Sequence, residues 1–561
     1  MHTVSTFHSA ACVCARFARS VRHQQGAVRH LTSVRAASSG SAPASQALRC
    51  HHPRRSSLSP PAALSHSGVA SRAMASAAKD EKYDFDLFTI GGGTGGVRAA
   101  RFASTDYGAR VALCELPFSL VQTDTEGGLG GTCILRGCIP KKLLVYGGEF
   151  ANEFKECEGY GWHIEGEISH DWKKLAERKE KQLRKLSDIY KGQLDKAGVH
   201  YIEGRATVKD KHTVSINGKD YTAKNILIAT GGRAIVPPIQ GKELTIISDQ
   251  VLDLPKKPER LVIIGGGYIA AEQACIYRNF GADVHMFFRG AHILGGFDPE
   301  AAKHTEGEFK RQGIQLKPDF SPVKVVKEKD GKLTMTAKNN KDEEITLDGI
   351  DYILMATGRK PATQGLGLDK LGVELDDKGG VKVDDFSQSN VDSIWAIGDV
   401  SNRIPLTPVA RMEGTYFAQH LFGGVDIKPD YGNVASVVFS SPQVAQVGVN
   451  EDKAVEEYGD IDIFTSTFSA LRDSLTENEG KGFIKVVVDA KTDKVLGIHL
   501  VGPEVAEILQ GFAAAMKAGI TKTQLNETVG IHPTSAEEGT DQWIQMLLPW
   551  PTYGHRLWQG Y

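Results

Sequence analysis

The chain opens a strand–helix–strand unit on a glycine-rich turn, and it does so twice. A strand pattern from Tyr83 to Ile90 runs into Gly91-Gly92-Gly93-Thr94-Gly95-Gly96, an alanine-rich helical stretch and a second strand, Val111 to Glu115. Leu261 to Ile264 runs likewise into Gly265-Gly266-Gly267-Tyr268-Ile269-Ala270, a helical stretch and the strand Asp283 to Arg289. Such a turn lets backbone N–H groups approach a pyrophosphate at a helix N-terminus. One copy alone is a weak signal. Two copies, each with a strand before and a helix after, predict an α/β chain with two Rossmann-like nucleotide-binding domains. Gly91, Gly93, Thr94, Gly95 and Gly96 are the expected contacts at the first site; Gly265, Gly267, Tyr268, Ile269 and Ala270 are those at the second. The duplication extends further. Ile226 to Gly231 and Ile353 to Gly358 are both apolar strands ending in Ala-Thr-Gly, which adds Ala229, Thr230, Gly231 and Gly358.

The two sites differ in sign. Glu115 stands 24 residues after Gly91, and Arg289 stands 24 residues after Gly265. A carboxylate there suits free ribose hydroxyls, as in FAD or NAD; an arginine attracts a 2′-phosphate. The first site is expected to hold FAD or NAD and the second NADPH, the other reading of Arg289 being a solvated charge at a strand end. Trp395-Ala396-Ile397-Gly398-Asp399 is a strand ending in Gly-Asp, whose aspartate could bond the ribitol hydroxyls of FAD.

Two further constellations carry chemistry. Eight cysteines occur, too few for a disulfide scaffold in a chain of 561 residues. Three (Cys12, Cys14, Cys50) fall in the first 79 residues, and among the other five the one close pair is Cys133 and Cys138, in GGLGGTCILRGCIPKK, at the expected start of a helix. A disulfide closing so short a loop is expected to be constrained and labile. A helix N-terminus with Lys141 and Lys142 nearby would stabilise a thiolate. Two buried thiols are the plain alternative, and a metal site lacks a second cysteine pair. Near the C-terminus, His532 and Glu537 in HPTSAEE could supply acid–base catalysis, the carboxylate orienting the ring.

The first 79 residues hold nine arginines, Lys79 and no acid. Without them the charge is 56 basic (66 − 10) against 68 acidic residues. Residues 1–78 therefore read as an organelle transit peptide, chloroplast preferred over mitochondrion and dual targeting open. A nucleic-acid-binding tail is the alternative, and the acidic body argues against it. No apolar run of about 18 residues suggests a membrane span. Residues 173 to 196 read as one long helix with Leu183, Leu186, Ile189, Tyr190 and Leu194 as its apolar stripe. Beyond about residue 430 the pattern changes to a separate α+β domain.

From residue 83 to 538 the chain resembles the pyridine nucleotide-disulfide oxidoreductase family, and within it the plant-type glutathione reductases; GGTCILRGCIPKKLLVYG and HPTSAEE are the most specific parts. The resemblance implies an FAD-binding domain (79–232), an NADPH-binding domain (233–361), a central domain completing the FAD site (362–432) and a C-terminal dimerisation domain (433–561). It implies a homodimer in which His532 and Glu537 reach the Cys133–Cys138 disulfide of the other subunit. It implies glutathione disulfide as substrate, Cys133 as the attacking thiol and Cys138 as the charge-transfer thiolate beside the flavin. Gly131 and Thr132 line the flavin site, Tyr268 covers the ring, and Lys141 and Glu272 form an ion pair near it. Leu406 and Thr407 lie beside the ring, Asp399 binds the ribitol, and Arg101 binds a glutathione carboxylate. No metal and no nucleic acid are implied.

Two departures stand out. The family's second arginine for the 2′-phosphate is replaced by Gly295, with His292 as a partial substitute. The tail from Gly539 to Tyr561 matches no expectation. Another small disulfide as substrate, or a weakened redox-sensing flavoprotein, remain the competing readings.

Overall fold

The computed structural model describes residues 82–539 and 545–547. The basic leader and nearly all of the unusual tail lie outside the described residues.

The first glycine turn joins β1 (Phe85–Ile90) to α1 (Thr94–Tyr107), which leads to β2 (Val111–Glu115). The redox motif opens α2 (Cys138–Glu156), and the long helix predicted at 173 to 196 is α3 (Trp172–Lys196). Strands β3 (His200–Glu203) and β4 (Lys219–Ile228) complete a parallel core in the order β3-β2-β1-β4. The second turn joins β5 (Arg260–Ile264) to α4 (Tyr268–Asn279) and β6 (Asp283–Phe288). With β7 (Gln315–Pro318) and β8 (Tyr352–Met355) these make a second parallel sheet, ordered β7-β6-β5-β8. The two sheets share one plan because the strand cores are continuous Val, Ile, Leu and Phe runs, as strands covered on both faces require.

The chain then returns to the first unit. Strand β9 (Ile394–Ala396) pairs in parallel with β4, and α5 (Thr407–Leu421) packs on α1. The helices touch at glycines: a Cβ on Gly414 would stand 2.7 Å from the Gly95 carbonyl oxygen. After residue 430 comes an antiparallel sheet with helix Val505–Lys517 on one face, the α+β region expected there.

This last region is bolted to the second nucleotide unit by an unusual buried cation. Lys485, 1 % exposed, reaches Asp298 at 3.1 Å, Glu300 at 2.8 Å and Glu451 at 2.6 Å. Asp298 is wholly buried and also caps the helix Pro299–Arg311, accepting from the Glu300 and Ala301 N–H groups. These carboxylates push the lysine's proton affinity up against the opposing effect of burial. Among the described residues no helix is long and apolar enough to cross a membrane.

Candidate active site

Both fingerprints are built the same way, down to the atoms that forbid a side chain. A Cβ on Gly91 would stand 2.3 Å from the Ala229 oxygen, and one on Gly265 would stand 2.2 Å from the Ala356 oxygen. Each first glycine, at φ 113° and 134°, is thus pressed against the Ala-Thr-Gly turn of the neighbouring strand. That contact explains why the turn recurs. At the third glycine, Gly96, a Cβ would stand 2.0 Å from the Gly91 oxygen, and buried Ala270 takes the matching place in the second unit. The middle glycines, Gly93 and Gly267, face open space. They are the N-caps of α1 and α4, and neither helix has a side-chain cap. Both helix ends therefore offer uncapped N–H groups across a gap that only glycine leaves, which fits a pyrophosphate.

The first cavity is lined by Gly91, Gly93, Glu115, Gly131, Thr132, Ala229, Thr230 and Gly231 among others. Glu115 accepts hydrogen bonds from the Gly92 and Leu116 N–H groups, each at 2.7 Å. It therefore ties the end of β2 to the glycine turn as well as facing the cavity. Asp399 is half-buried beside Gly232 and Arg359, whose guanidinium lowers a carboxyl that burial raises. At the second site Arg289 is exposed, with no ion pair or hydrogen bond among the described residues. His292, the suggested substitute, instead turns Nδ1 to Glu306 at 3.2 Å. The residues present fit FAD at the first site and a 2′-phosphorylated nicotinamide dinucleotide at the second.

Cys133 and Cys138 lie in the seam between these sites. Gly131 lets the segment approach the first fingerprint closely, since a Cβ there would be 2.9 Å from the Gly93 Cα. Cys133 sits in the short helix Gly131–Leu135 and Cys138 is the first residue of α2. Both are free thiols. A hydrogen bond from Cys133 pulls Cys138 down to about 6 against partial burial, helped by Thr407, 3.6 Å away, and by Lys141. The same bond, with burial, pushes Cys133 up. Of the two sulfurs, Cys138 is thus the one whose surroundings favour a thiolate, and Cys133 the one that keeps its proton. Lys141 Nζ lies 2.8 Å from Glu272 Oε1, which also accepts from the Phe439 N–H at 3.0 Å. Tyr268, 43 % exposed, is close enough to Arg359, Glu272, Asp399 and Cys138 to feel their charges. Leu406 caps α5 just before Thr407, which brings that helix to the pair.

His532 is not part of this assembly within the chain. Its Nδ1 meets Glu537 at 3.1 Å, and its side chain is 83 % exposed. Tyr146, Phe150 and Phe154 form an exposed aromatic stripe along α2, the helix that begins at Cys138.

Three residues near the pair escape a reading of motifs. Tyr190, placed in the apolar stripe of α3, sets its hydroxyl beside Thr94 and feels Cys133, Arg411 and Arg101. Arg136, between the cysteines, is buried and donates to the Ser119 and Gly127 carbonyls, 3.8 Å from Asp249. Arg98 lies near Arg101 and Arg411; burial first, and then these two cations, lowers its proton affinity. Arg101 itself donates to Gln193 at 2.7 Å, and its Nε is buried with no hydrogen bond among the described residues.

Two nucleotide units flanking a dithiol define a two-nucleotide dithiol–disulfide oxidoreductase. Comparison with known proteins agrees. Residues 85–414 match the model for pyridine nucleotide-disulphide oxidoreductases, and residues 434–542 match that family's dimerisation domain. The chain is 49 % identical over 484 residues to the chloroplastic/mitochondrial glutathione reductase of Pisum sativum, covering 86 % of each. It is 42 % identical over 458 residues to glutathione reductase of Burkholderia cepacia, covering 82 % of this chain and 98 % of that one. A Nostoc glutathione reductase is 40 % identical over 468 residues, covering 81 % of this chain and 98 % of that one. The chain belongs to the pyridine nucleotide-disulphide oxidoreductase family.

Proposed function

We propose that this chain reduces glutathione disulfide with NADPH, using FAD and the Cys133–Cys138 pair. The carrying observation is the placement of the pair: Cys133 just before α2 and Cys138 at its start, beside Lys141 and Glu272, set between an acid-ended and an arginine-ended nucleotide site. FAD, held by the Gly91–Gly96 turn, Glu115 and the Ala229–Gly231 turn, would supply two-electron chemistry between a reduced nicotinamide and the Cys133–Cys138 disulfide.

Cys133 holds its proton, so attack on the substrate needs a base. His532 of the partner subunit, oriented by Glu537, suits that role. Its high exposure within one chain supports a role across a subunit boundary, as does the family's dimerisation domain. Cys133 sulfur then bonds to one sulfur of the substrate, whose S–S bond breaks. The first glutathione leaves as a thiolate and takes the proton back from the imidazole. Cys138, already ionised, attacks Cys133 and expels the second glutathione. One thiol and one thiolate are released, the second taking its proton from solvent, and the protein disulfide carries the two electrons' worth of oxidation. Arg101, with Arg98 and Arg411 beside it, supplies the positive field that the substrate's carboxylates need.

We take 79–232 and 362–432 as building the FAD site, 233–361 the NADPH site and 433–561 the dimer interface. The acid-free leader supports delivery to an organelle, chloroplast in preference to mitochondrion.

The test is steady-state oxidation of NADPH and of NADH by the full chain, with glutathione disulfide as acceptor. Fast turnover with NADPH, and little with NADH, is expected. A protein that binds FAD but turns over neither overturns the reading.

A further inference from the structure

Glu413 is 1 % exposed within α5, yet neither a nucleotide fingerprint nor the redox pair uses it. Its Oε2 accepts from the Gly398 N–H at 2.6 Å, and its Oε1 accepts from the Tyr431 hydroxyl at 2.7 Å. Arg403 donates to that same hydroxyl at 2.6 Å and stands 3.8 Å from Glu413. Burial raises the Glu413 carboxyl, while Tyr431, Gly398 and Arg403 oppose the rise. Burying a carboxylate is costly unless its lone pairs are matched, and here they are matched by two donors, Gly398 and Tyr431, with the Arg403 cation nearby.

The donor that matters is Gly398. It sits at φ 74°, a left-handed conformation that glycine adopts without strain. Its carbonyl is held from the other side by the Ser401 hydroxyl at 2.8 Å. The next residue is Asp399, beside Arg359 and beside Gly232, which follows Gly231 of the cavity wall. Glu413 thus grips the backbone one residue before the acid that faces the cofactor. A carboxylate can accept from Gly398 and Tyr431 through two different oxygens at once, which no neutral side chain of similar length does.

We propose that Glu413 is a positioning residue for FAD: by fixing the Gly398 turn it presents the Asp399 carboxylate to the ribitol hydroxyls. The inference rests on the FAD assignment of the proposed function, but not on the substrate.

The experiment measures the FAD dissociation constant, from flavin fluorescence on rebinding to apoprotein, in a double-mutant cycle. Glu413→Ala is expected to weaken FAD by about tenfold or more. Glu413→Gln, whose carbonyl oxygen still accepts from Gly398, is expected to stay within about threefold. In an Asp399→Ala background, Glu413→Ala is expected to add less than about twofold, because there is no acid left to aim. An unchanged constant in Glu413→Ala, or the same loss with and without Asp399, overturns the proposal. Where Glu413→Ala does not fold, Tyr431→Phe replaces it, with a rise of about threefold expected only when Asp399 is present; an equal rise in both backgrounds overturns the proposal. FAD binding that follows this pattern without disulfide turnover supports the positioning role and sinks only the substrate reading. A wild-type chain that binds no FAD sinks both.

Discussion

Lys141 and Glu272 face each other at 2.8 Å across the seam between the cysteine-bearing helix and the second fingerprint helix, both nearly closed off from solvent. Burial raises the Glu272 carboxyl, and Lys141 is the first of the groups that oppose it. Lys141→Met would leave that carboxylate uncompensated, at a cost of about 3–5 kcal/mol. The sign of the pH dependence follows. A carboxyl raised above its unfolded value favours the folded state when protonated, so the deficit grows as pH rises through the ordinary glutamate range. Denaturant unfolding of Lys141→Met at several pH values is expected to show the largest loss near neutrality and a smaller one in acid. A loss independent of pH would count against an ionised Glu272.

The thiolate at Cys138 depends first on the hydrogen bond from Cys133. Cys133→Ala is therefore expected to move Cys138 up from about 6 towards the ordinary thiol range. Titration of the thiolate absorbance reads this directly. The same variant, and Cys133→Ser, are expected to lose disulfide turnover and keep FAD, since the pair lies beside the cavity and not beneath it.

Arg289 stands without a second arginine, the matching position being Gly295, and His292 is turned to Glu306. One charge-assisted contact should then carry most of the preference for the 2′-phosphate. Arg289→Ala is expected to lower the NADPH-to-NADH ratio of kcat/KM by about tenfold to a hundredfold. A ratio that stays high would point to another phosphate ligand.

The exposed His532 gives a prediction about shared sites. Cys133→Ser and His532→Ala homodimers are each expected to be inactive. Refolded together, hybrid dimers are expected to regain activity, because one of their two sites takes an intact cysteine from one subunit and an intact histidine from the other. Hybrids that stay inactive would place both residues in one chain.

Lys485→Met tests the joint between the second nucleotide unit and the C-terminal sheet. It strands the fully buried Asp298, and a loss of about 3–5 kcal/mol in unfolding free energy is expected. A melting temperature like that of the wild type would show that the cluster repacks without its cation.

Local signals were legible where chemistry needs a fixed spacing. The paired fingerprints, the acid and arginine that end their strands, and the Cys133–Cys138 pair can all be read from neighbours in the chain. What escaped reading depends on contacts between distant segments. Tyr190 fits an apolar helical stripe, and nothing in its own helix reveals that its hydroxyl faces Thr94. Lys485 sits inside the run Phe483 to Val488, where alternation cannot say that three carboxylates from elsewhere surround it. Glu413 belongs to an ordinary helix until Gly398 is brought against it. His292 likewise has a partner that its neighbours in sequence do not announce: Glu306, 14 residues further on, meets its Nδ1.

The return of β9 and α5 to the first unit has a consequence for synthesis. Gly95 meets Gly414, and β4 is incomplete at its edge until Ile394–Ala396 arrives. The second nucleotide unit, by contrast, is assembled from a single stretch between Arg260 and Met355. A ribosome therefore delivers the whole of the later unit before the earlier one can close. The face of α1 at Gly95 must wait for more than 300 residues of chain before its partner helix follows (414 − 95 = 319). Closing so distant a contact is slow, so the unfinished unit is the part most exposed to chaperones and proteases during synthesis.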